Sequence, residues 1–339
     1  MTASKQIALF GEYLLRLSPP ANRKFIQSEL LEMYWAGSEA NVAVSLGVFG
    51  EPVKFISSLP DNELSSMGLA ALKRHGVNTS GVRLEGERLG TFFYEPGNGI
   101  RNGRIIYDRK YSSFSQLQPG MIDWDEAFDN CGWFQWSGIN AGISEALALV
   151  CKEALEAASK KGIFVFADCN HRTALWKYGK APKEIMPELL SYCDLIVADM
   201  SVGKMYYDIE PNEEDPVGSF LGKLSTKFKP STLLALTMRG KISGEGKDSD
   251  YSGFLYQGNK LYASRKFSLE HTVERIGTGD AFMSGLIYGT KHKLSPEDII
   301  NFATAAGALK HTIIGDFNLA SVAEIQELVV NPRTGAIKR

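Results

Sequence analysis

The sequence predicts an α/β fold with a central, mostly parallel sheet, helices on both faces, and a small β-sheet lid. From residue 133 onward, short apolar runs alternate with helical patterns, which is typical of a parallel sheet covered by helices. Earlier, two β-rich excursions near 12–35 and 89–112 interrupt this alternation, and we expect them to pair as the lid. A length of 339 residues suits a single α/β domain over 1–339 that includes the lid.

The first elements follow from local patterns. Residues 7–10 are apolar and predict a buried strand. The next residues are predicted to be extended, because Pro19 and Pro20 exclude a helix there, and residues 24–35 have strand-like spacing. A helix is predicted over residues 40–46.

The remaining elements complete the predicted sheet. We expect strands at 53–59, 91–94, 105–109, 133–136, 163–168, 195–198 and 233–237, and helices at 65–75 and 144–160. In such sheets, ligands bind beyond the carboxyl ends of the strands. The polar run Asp168-Cys169-Asn170-His171-Arg172 follows one of these strands, which makes it a candidate binding segment.

Composition limits the function. A formal net charge of −2 gives no electrostatic basis for binding nucleic acid or an anionic membrane surface. No apolar run approaches the ~18 residues that span a bilayer. The four cysteines form no C-x-x-C pair, so neither a zinc site nor a disulfide framework is predicted. We therefore expect a cytoplasmic protein with reduced thiols.

The most informative motif is Gly277-Thr278-Gly279-Asp280, which precedes an apolar helical pattern. A glycine turn that opens a helix directs free N–H groups at one point and forms an anion site. A carboxylate beside that anion would be placed to take a proton from a nucleophile. The motif alone leaves a second interpretation open, in which it is a glycine turn with an aspartate N-cap.

A second motif lies at a predicted loop-to-helix junction. Gly37 and Asn41 are expected to face a polar ligand, although close helix packing would also explain the small residues around Gly37.

The two motifs are Gly37-Ser38-Glu39-Ala40-Asn41-Val42-Ala43 and Gly277-Thr278-Gly279-Asp280. On these residues the chain resembles the ribokinase (PfkB) family of carbohydrate kinases. The resemblance covers essentially the whole chain. It implies a ribokinase-like fold and ATP-dependent phosphorylation of a sugar, with Mg²⁺. Within the family, the chain most resembles the 2-keto-3-deoxygluconate kinases. This narrower resemblance rests on residues 11–17, on Tyr107-Asp108-Arg109, and on Asp168–Arg172 with Trp176. It implies phosphorylation of a C6 hydroxyl.

The resemblance implies a role for each matching residue. Asp280 would be the general base, and the backbone of Gly277, Thr278 and Gly279 the anion hole. The implied substrate-binding residues are Gly37, Asn41, Phe92, Tyr107, Arg109, Asn170, Arg172, Asp280 and Asp316. The implied ATP-binding residues are Thr237, Gly240, Gly277, Gly279, Ala306 and Gly307.

The two arginines favour an acid sugar, because guanidinium groups pair with carboxylates. Three alternatives stay open. Arg109 would be solvated at a sheet edge, Arg172 would pair with Asp168, and Ala306 and Gly307 would serve tight helix packing.

The sequence departs from the family pattern twice. Glu274-Arg275 replaces the usual Asp-Thr, and Asp199-Met200-Ser201-Val202 replaces the usual Asn-x-x-Glu. The metal ligands and any monovalent cation are therefore left unassigned. The functional alternatives are another sugar kinase, such as a fructokinase, and a non-catalytic sugar-binding regulatory protein.

The lid is also expected to pair two subunits in a homo-oligomer, since aromatic residues are frequent in it. The aromatic residues on which this expectation depends are Phe25, Tyr34, Trp35, Phe92 and Phe93.

Overall fold

The computed structural model describes residues 5–98, 100–240, 249–269 and 272–331, and every structural statement below concerns these residues. The strands are β1 (Gln6–Phe10), β2 (Leu14–Ser18), β3 (Glu32–Ala36), β4 (Val53–Leu59), β5 (Val77–Leu84), β6 (Gly90–Glu95), β7 (Arg104–Asp108), β8 (Cys131–Ser137), β9 (Phe164–Asp168), β10 (Leu195–Val197), β11 (Leu233–Arg239), β12 (Asp250–Gln257), β13 (Lys260–Ala263) and β14 (Phe267–Ser268).

The helices are α1 (Ser38–Val48), α2 (Glu63–Arg74), α3 (Trp124–Ala127), α4 (Gly138–Ile143), α5 (Glu145–Lys160), α6 (Pro182–Leu190), α7 (Met200–Tyr207), α8 (Pro216–Ser225), α9 (Thr278–Lys291), α10 (Pro296–Lys310) and α11 (Val322–Val330).

The central sheet is mostly parallel, as predicted. Its strand order is β13-β12-β11-β10-β9-β8-β1-β4-β5, with β14 beside β12. Every pair from β5 to β11 is parallel, and β12, β13 and β14 add antiparallel pairs at one edge. The polar segments after β9, β10 and β11 consequently meet at the carboxyl edge of the sheet.

Helices cover both faces of this sheet. Ala8 and Phe10 of β1 belong to a hydrophobic cluster that includes buried residues of α5, α6 and α8. Ile7 and Leu9 belong to a second cluster with α1, α9 and α10. Successive side chains of a strand point to opposite faces, so the two clusters are the cores on either side of the sheet.

The two excursions pair as a separate four-stranded sheet, which we call the lid, in the order β3-β2-β6-β7. Strands β2 and β6 are parallel, whereas the pairs at both edges are antiparallel. One detail of the prediction is wrong: residues 24–35 are not continuously extended, because a 3₁₀ turn occupies Phe25–Gln27 and β3 begins at Glu32.

A buried ion-pair network fastens the lid to the main sheet. Arg16 of β2 donates to Glu274 and to Asp316, with both N···O distances 2.7 Å. Its Nε also donates to Ser18 Oγ at 2.9 Å. The guanidinium carbon lies 4.6 Å from the ring centroids of both Tyr34 and Tyr94. All three charged residues are almost fully buried, and the buried Lys310 supplies a second positive charge that acts on both carboxylates.

We expect Arg16→Met to destabilise the fold by about 3–5 kcal/mol, because it removes the cation that both buried carboxylates contact directly. Urea unfolding measures the change. Arg83→Met is the matched control, since Arg83 pairs with Glu85 at a more exposed position, where such a pair contributes about 0–1 kcal/mol. Equal losses in the two variants would contradict a special contribution from the buried network.

Candidate active site

The candidate site begins at the turn before α9. Gly277 is the N-cap of this helix and has φ of 80°. A Cβ at this position would lie 2.0 Å from the carbonyl oxygen of Asp316, so glycine is required both for its φ and for the close approach. The first helical hydrogen bond runs from Ala281 N to Gly277 O, at 2.9 Å. The N–H groups of residues 278–280 therefore have no acceptor within the helix and form an anion-binding turn.

Gly279 differs from Gly277. It is exposed, and a Cβ built on it would meet no described atom within 4 Å. The turn is thus packed against protein at Gly277 and open at Gly279, which is the side from which an anion can approach.

Asp280 is held at the end of this turn by residues from the other half of the chain. Ser38 Oγ donates to Asp280 Oδ1 at 2.8 Å, and Asn41 Nδ2 donates to Oδ2 at 2.7 Å. Asn170 Nδ2 in turn donates to Ser38 Oγ at 3.3 Å. The structure therefore brings together three predicted site residues from distant parts of the sequence.

Backbone geometry supports this arrangement. Gly37, the N-cap of α1, has φ of 137°, and a Cβ there would lie 2.2 Å from the carbonyl oxygen of Glu12. Asn170 has φ of 34°, which is uncommon for a residue with a side chain. Backbone strain of this kind is concentrated at binding sites.

Three acids meet near this point. Burial raises the pKa of Asp280, although hydrogen bonds from Asn41 and Ser38 oppose the shift. Burial and the charge of Asp280 raise the pKa of Asp168 to about 7. Glu39 is buried, accepts from Asn140 Nδ2 at 3.2 Å, and has its pKa raised to about 8 by burial. Carboxyl groups with raised pKa values are well suited to accepting protons.

The two predicted clamp arginines have different environments. Arg109 forms an ion pair with Glu12, which also accepts from Ser112 Oγ. Its charge is therefore compensated within the protein, which neither of the two interpretations of Arg109 anticipated. Arg172 is exposed, and its Nη1 donates to the carbonyl oxygen of His171 at 3.1 Å. Among the described residues it has no ion-pair partner, so the alternative pairing with Asp168 is not found.

Phe92 and Tyr107 lie opposite each other on β6 and β7, with ring centroids 6.0 Å apart. Phe92 is buried and Tyr107 is exposed. The pair offers one apolar wall and one exposed tyrosine on the lid.

Asp316 stays a predicted substrate contact, and the structure shows what its carboxylate binds within the protein. Its side chain is almost fully buried, and one carboxylate oxygen accepts from Arg16. The residue also supports the site through its carbonyl oxygen, which lies against Gly277.

Two of the predicted ATP residues have surroundings that favour the alternative interpretation, and their ATP-binding role stays a prediction. Ala306 and Gly307 are buried in α10, and a Cβ on Gly307 would lie 2.6 Å from Tyr251 Oη and 3.2 Å from the carbonyl oxygen of Thr278. Tight helix packing, the alternative considered above, therefore accounts for the small residues. Thr237 lies on β11, partly buried, and Gly240 follows that strand with φ of 82°.

Sequence patterns missed several residues of this site. Ser38 and Glu39 lie inside the Gly37 motif, where the available signal was the presence of polar residues among small ones. Arg239 ends β11 and donates to Thr278 Oγ1 at 2.8 Å. Its signal was an arginine directly before Gly240, at the carboxyl end of a strand.

A complete metal cage is not present among the described residues, where no group of three or more His, Cys, Asp or Glu side chains forms one. Mg²⁺ commonly uses one or two carboxylates together with water and substrate phosphates. Asp168 and Asp199 suit that mode, since the charge of Asp199 is among those that raise the pKa of Asp168. Asp199 Oδ1 also caps α7 by accepting from Val202 N at 2.9 Å.

In the part of the chain that the structure describes, no helix combines the length and apolarity needed to cross a bilayer.

Comparison with known proteins identifies the family. Residues 4–201 match the sequence profile of the pfkB family carbohydrate kinases. The 2-dehydro-3-deoxygalactonokinase of Haloferax volcanii is 27% identical over 330 residues, which cover 97% of both chains. The 2-dehydro-3-deoxygluconokinase of Bacillus subtilis is 25% identical over 284 residues, 84% of this chain and 82% of the relative.

A solved structure agrees with these relatives. The crystal structure of 2-dehydro-3-deoxygluconokinase from Thermotoga maritima has a TM-score of 0.89 and 30% identity, and it covers 96% of this chain and 100% of its own. The profile match includes the Gly37 motif, and the structural match covers 96% of the chain. The chain therefore belongs to the PfkB family of carbohydrate kinases and is an ATP-dependent kinase with a ribokinase-like fold.

Proposed function

We propose that this kinase phosphorylates the C6 hydroxyl of 2-keto-3-deoxygluconate to give 2-keto-3-deoxy-6-phosphogluconate. The observation that carries the proposal is the position of Asp280. Its carboxylate is fixed by Ser38 and Asn41. Asp280 also directly follows Gly279, where the anion-binding turn is open.

In the proposed step, the C6 oxygen attacks the γ-phosphorus of ATP while the bond from that phosphorus to the β–γ bridging oxygen breaks. Asp280 accepts the hydroxyl proton, and ADP leaves with the bond electrons. The backbone N–H groups of the turn stabilise negative charge on the transferring group. Mg²⁺, held near Asp168 and Asp199, would neutralise further phosphate charge.

The acid group of the substrate is assigned to Arg172. This residue is exposed and, among the described residues, has no carboxylate partner, whereas Arg109 is committed to Glu12. A free guanidinium group recognises a carboxylate through two parallel hydrogen bonds. The names of the relatives from Thermotoga maritima and Haloferax volcanii indicate two sugar acids that differ in configuration at C4. The galacto epimer is therefore the first alternative substrate.

The lid is also proposed to hold two subunits together. One row of register partners crosses all four lid strands and is apolar throughout. It consists of Met33, Leu17, Phe93 and Ile106. Met33 and Ile106, at the two edges, are 47% and 57% exposed. The aromatic residues first considered are less exposed than these two, with Phe92 buried and Phe25, Tyr34, Trp35 and Phe93 partly buried. An apolar row of this kind fits the same row of a second copy.

We expect Asp280→Asn to lower kcat by about 10²–10⁴ with little change in KM, because an amide cannot accept the proton. Coupled ADP-release assays with 2-keto-3-deoxygluconate measure the effect. Asp61→Asn, at an exposed position on the loop before α2, is the control. A wild-type kcat in Asp280→Asn would remove the proposed mechanism.

A substrate panel of both sugar acids, fructose and ribose tests the assignment of Arg172. The wild type should prefer the acids, and Arg172→Ala should lower kcat/KM for the acids by about 10- to 100-fold while changing the neutral sugars less than threefold. Arg74→Ala, at the exposed end of α2, is the control.

A faster rate with fructose would favour the fructokinase alternative. Sugar binding in calorimetry without turnover of ATP would favour the non-catalytic one.

The lid proposal predicts a dimer at micromolar concentration in sedimentation velocity. Ile106→Asp should give a monomer, because the substitution places a charge in the apolar row. Leu149→Asp, on an exposed position of α5, should leave the dimer intact. A wild-type monomer would contradict the proposal.

A further inference from the structure

Arg239 occupies a defined position at the phosphate end of the site. It is the last residue of β11, and its Nη2 donates to Thr278 Oγ1 at 2.8 Å. The same hydroxyl donates to the carbonyl oxygen of Arg275 at 3.0 Å, so Thr278 is fixed from both sides. The guanidinium carbon of Arg239 lies 5.8 Å from the ring centroid of Tyr251, its register partner on β12. Arg239 is thus held beside the first turn of α9.

The positive charge of Arg239 has no counter-charge in the part of the chain that the structure describes. Two arginines of the lid do have one there: Arg16 pairs with Glu274 and Asp316, and Arg109 with Glu12. One of the groups that act on Arg239 is another cation, Arg275. Desolvation and the charge of Arg275 both lower its pKa, although Tyr251 opposes the shift. Two cations beside free N–H groups form an environment that a polyanion would stabilise.

The remaining hydrogen-bond donors of Arg239 are available to such an anion. Among the described residues, its only side-chain hydrogen bond is the one to Thr278. The residue is exposed, and the adjacent turn is open at Gly279. A guanidinium group has five N–H donors in a planar arrangement that matches phosphate oxygens.

We propose that Arg239 is a further catalytic residue, which binds the terminal phosphate of ATP and stabilises its charge during transfer. This inference rests on the proposed function, because it takes Asp280 as the base next to the same phosphate. Arg239 and the N–H groups of the turn would hold the equatorial oxygens of the γ-phosphoryl group while Asp280 accepts the sugar proton. The hydrogen bond to Thr278 fixes the guanidinium before the nucleotide arrives, so less ordering is needed on binding.

Calorimetry with AMP-PNP and with ADP tests the proposal, using the wild-type protein and Arg239→Ala. Loss of a charged contact to the terminal phosphate should weaken AMP-PNP binding by about 10- to 100-fold. Binding of ADP, which lacks this phosphate, should change by less than threefold. In the kinase assay, kcat should fall by about 10²–10³, as expected for an electrostatic contact of the transition state, with KM for the sugar acid unchanged within threefold.

Arg83→Ala is the matched control, since Arg83 lies on β5 and pairs with Glu85. Arg239→Lys keeps the charge and should recover part of the AMP-PNP affinity, which a purely structural role would not predict. Equal weakening of AMP-PNP and ADP, or unchanged AMP-PNP binding, would overturn the proposal. If the wild type phosphorylates no sugar acid, the proposed function fails while the nucleotide-binding comparison still decides the role of Arg239.

Discussion

The buried network around Arg16 is the interaction on which the site depends. It joins a lid strand to Glu274, three residues before the Gly277 turn, and to Asp316, whose carbonyl oxygen packs against that turn. The second lid excursion is fastened independently, because Arg109 and Ser112 both bind Glu12 at the end of the first strand. The lid and the Gly277 turn are therefore joined through buried contacts. Burial of these charges is unfavourable, and direct contact between opposite charges offsets the loss of hydration.

The site is divided electrostatically along its length. Carboxyl groups gather where the sugar hydroxyl would lie, and burial raises the pKa values of Glu39, Asp168 and Asp280. At the other end, Arg239 and Arg275 lie beside the helix N-terminus and have no compensating acid among the described residues. Such a separation suits the movement of a phosphoryl group toward a base, since negative charge is stabilised at one end and a proton is accepted at the other.

Much of the architecture could be predicted from the sequence, because apolar runs of strand length alternate with helical patterns. The helix predicted over 144–160 is observed as Glu145–Lys160 with Ser144 as its N-cap. The pairing of the two excursions as a lid sheet was also predicted correctly. Among the site residues, Asp280, Asn41 and Asn170 do lie together, because their motifs occupy strand ends and helix starts.

The contacts that the sequence did not reveal join long-range partners. Nothing in the local pattern around Asp316 indicates an arginine that is 300 positions away in the sequence, and the same holds for Glu12 and Arg109, 97 positions apart. Ala306 and Gly307 show a related limit, since small residues permit either a ligand or a neighbouring helix, and the sequence alone cannot separate the two.

The two glycines of the Gly277 turn differ in whether protein packing explains them. Gly277 is required by the protein itself, because its φ is positive and the chain at Asp316 occupies the space of a side chain. Gly279 is not required by any described contact, since the space beside it is empty. Packing therefore explains the first glycine and leaves the second to the ligand. A turn built only for stability would need the first alone, so the second is consistent with the anion-binding role that we propose for this turn.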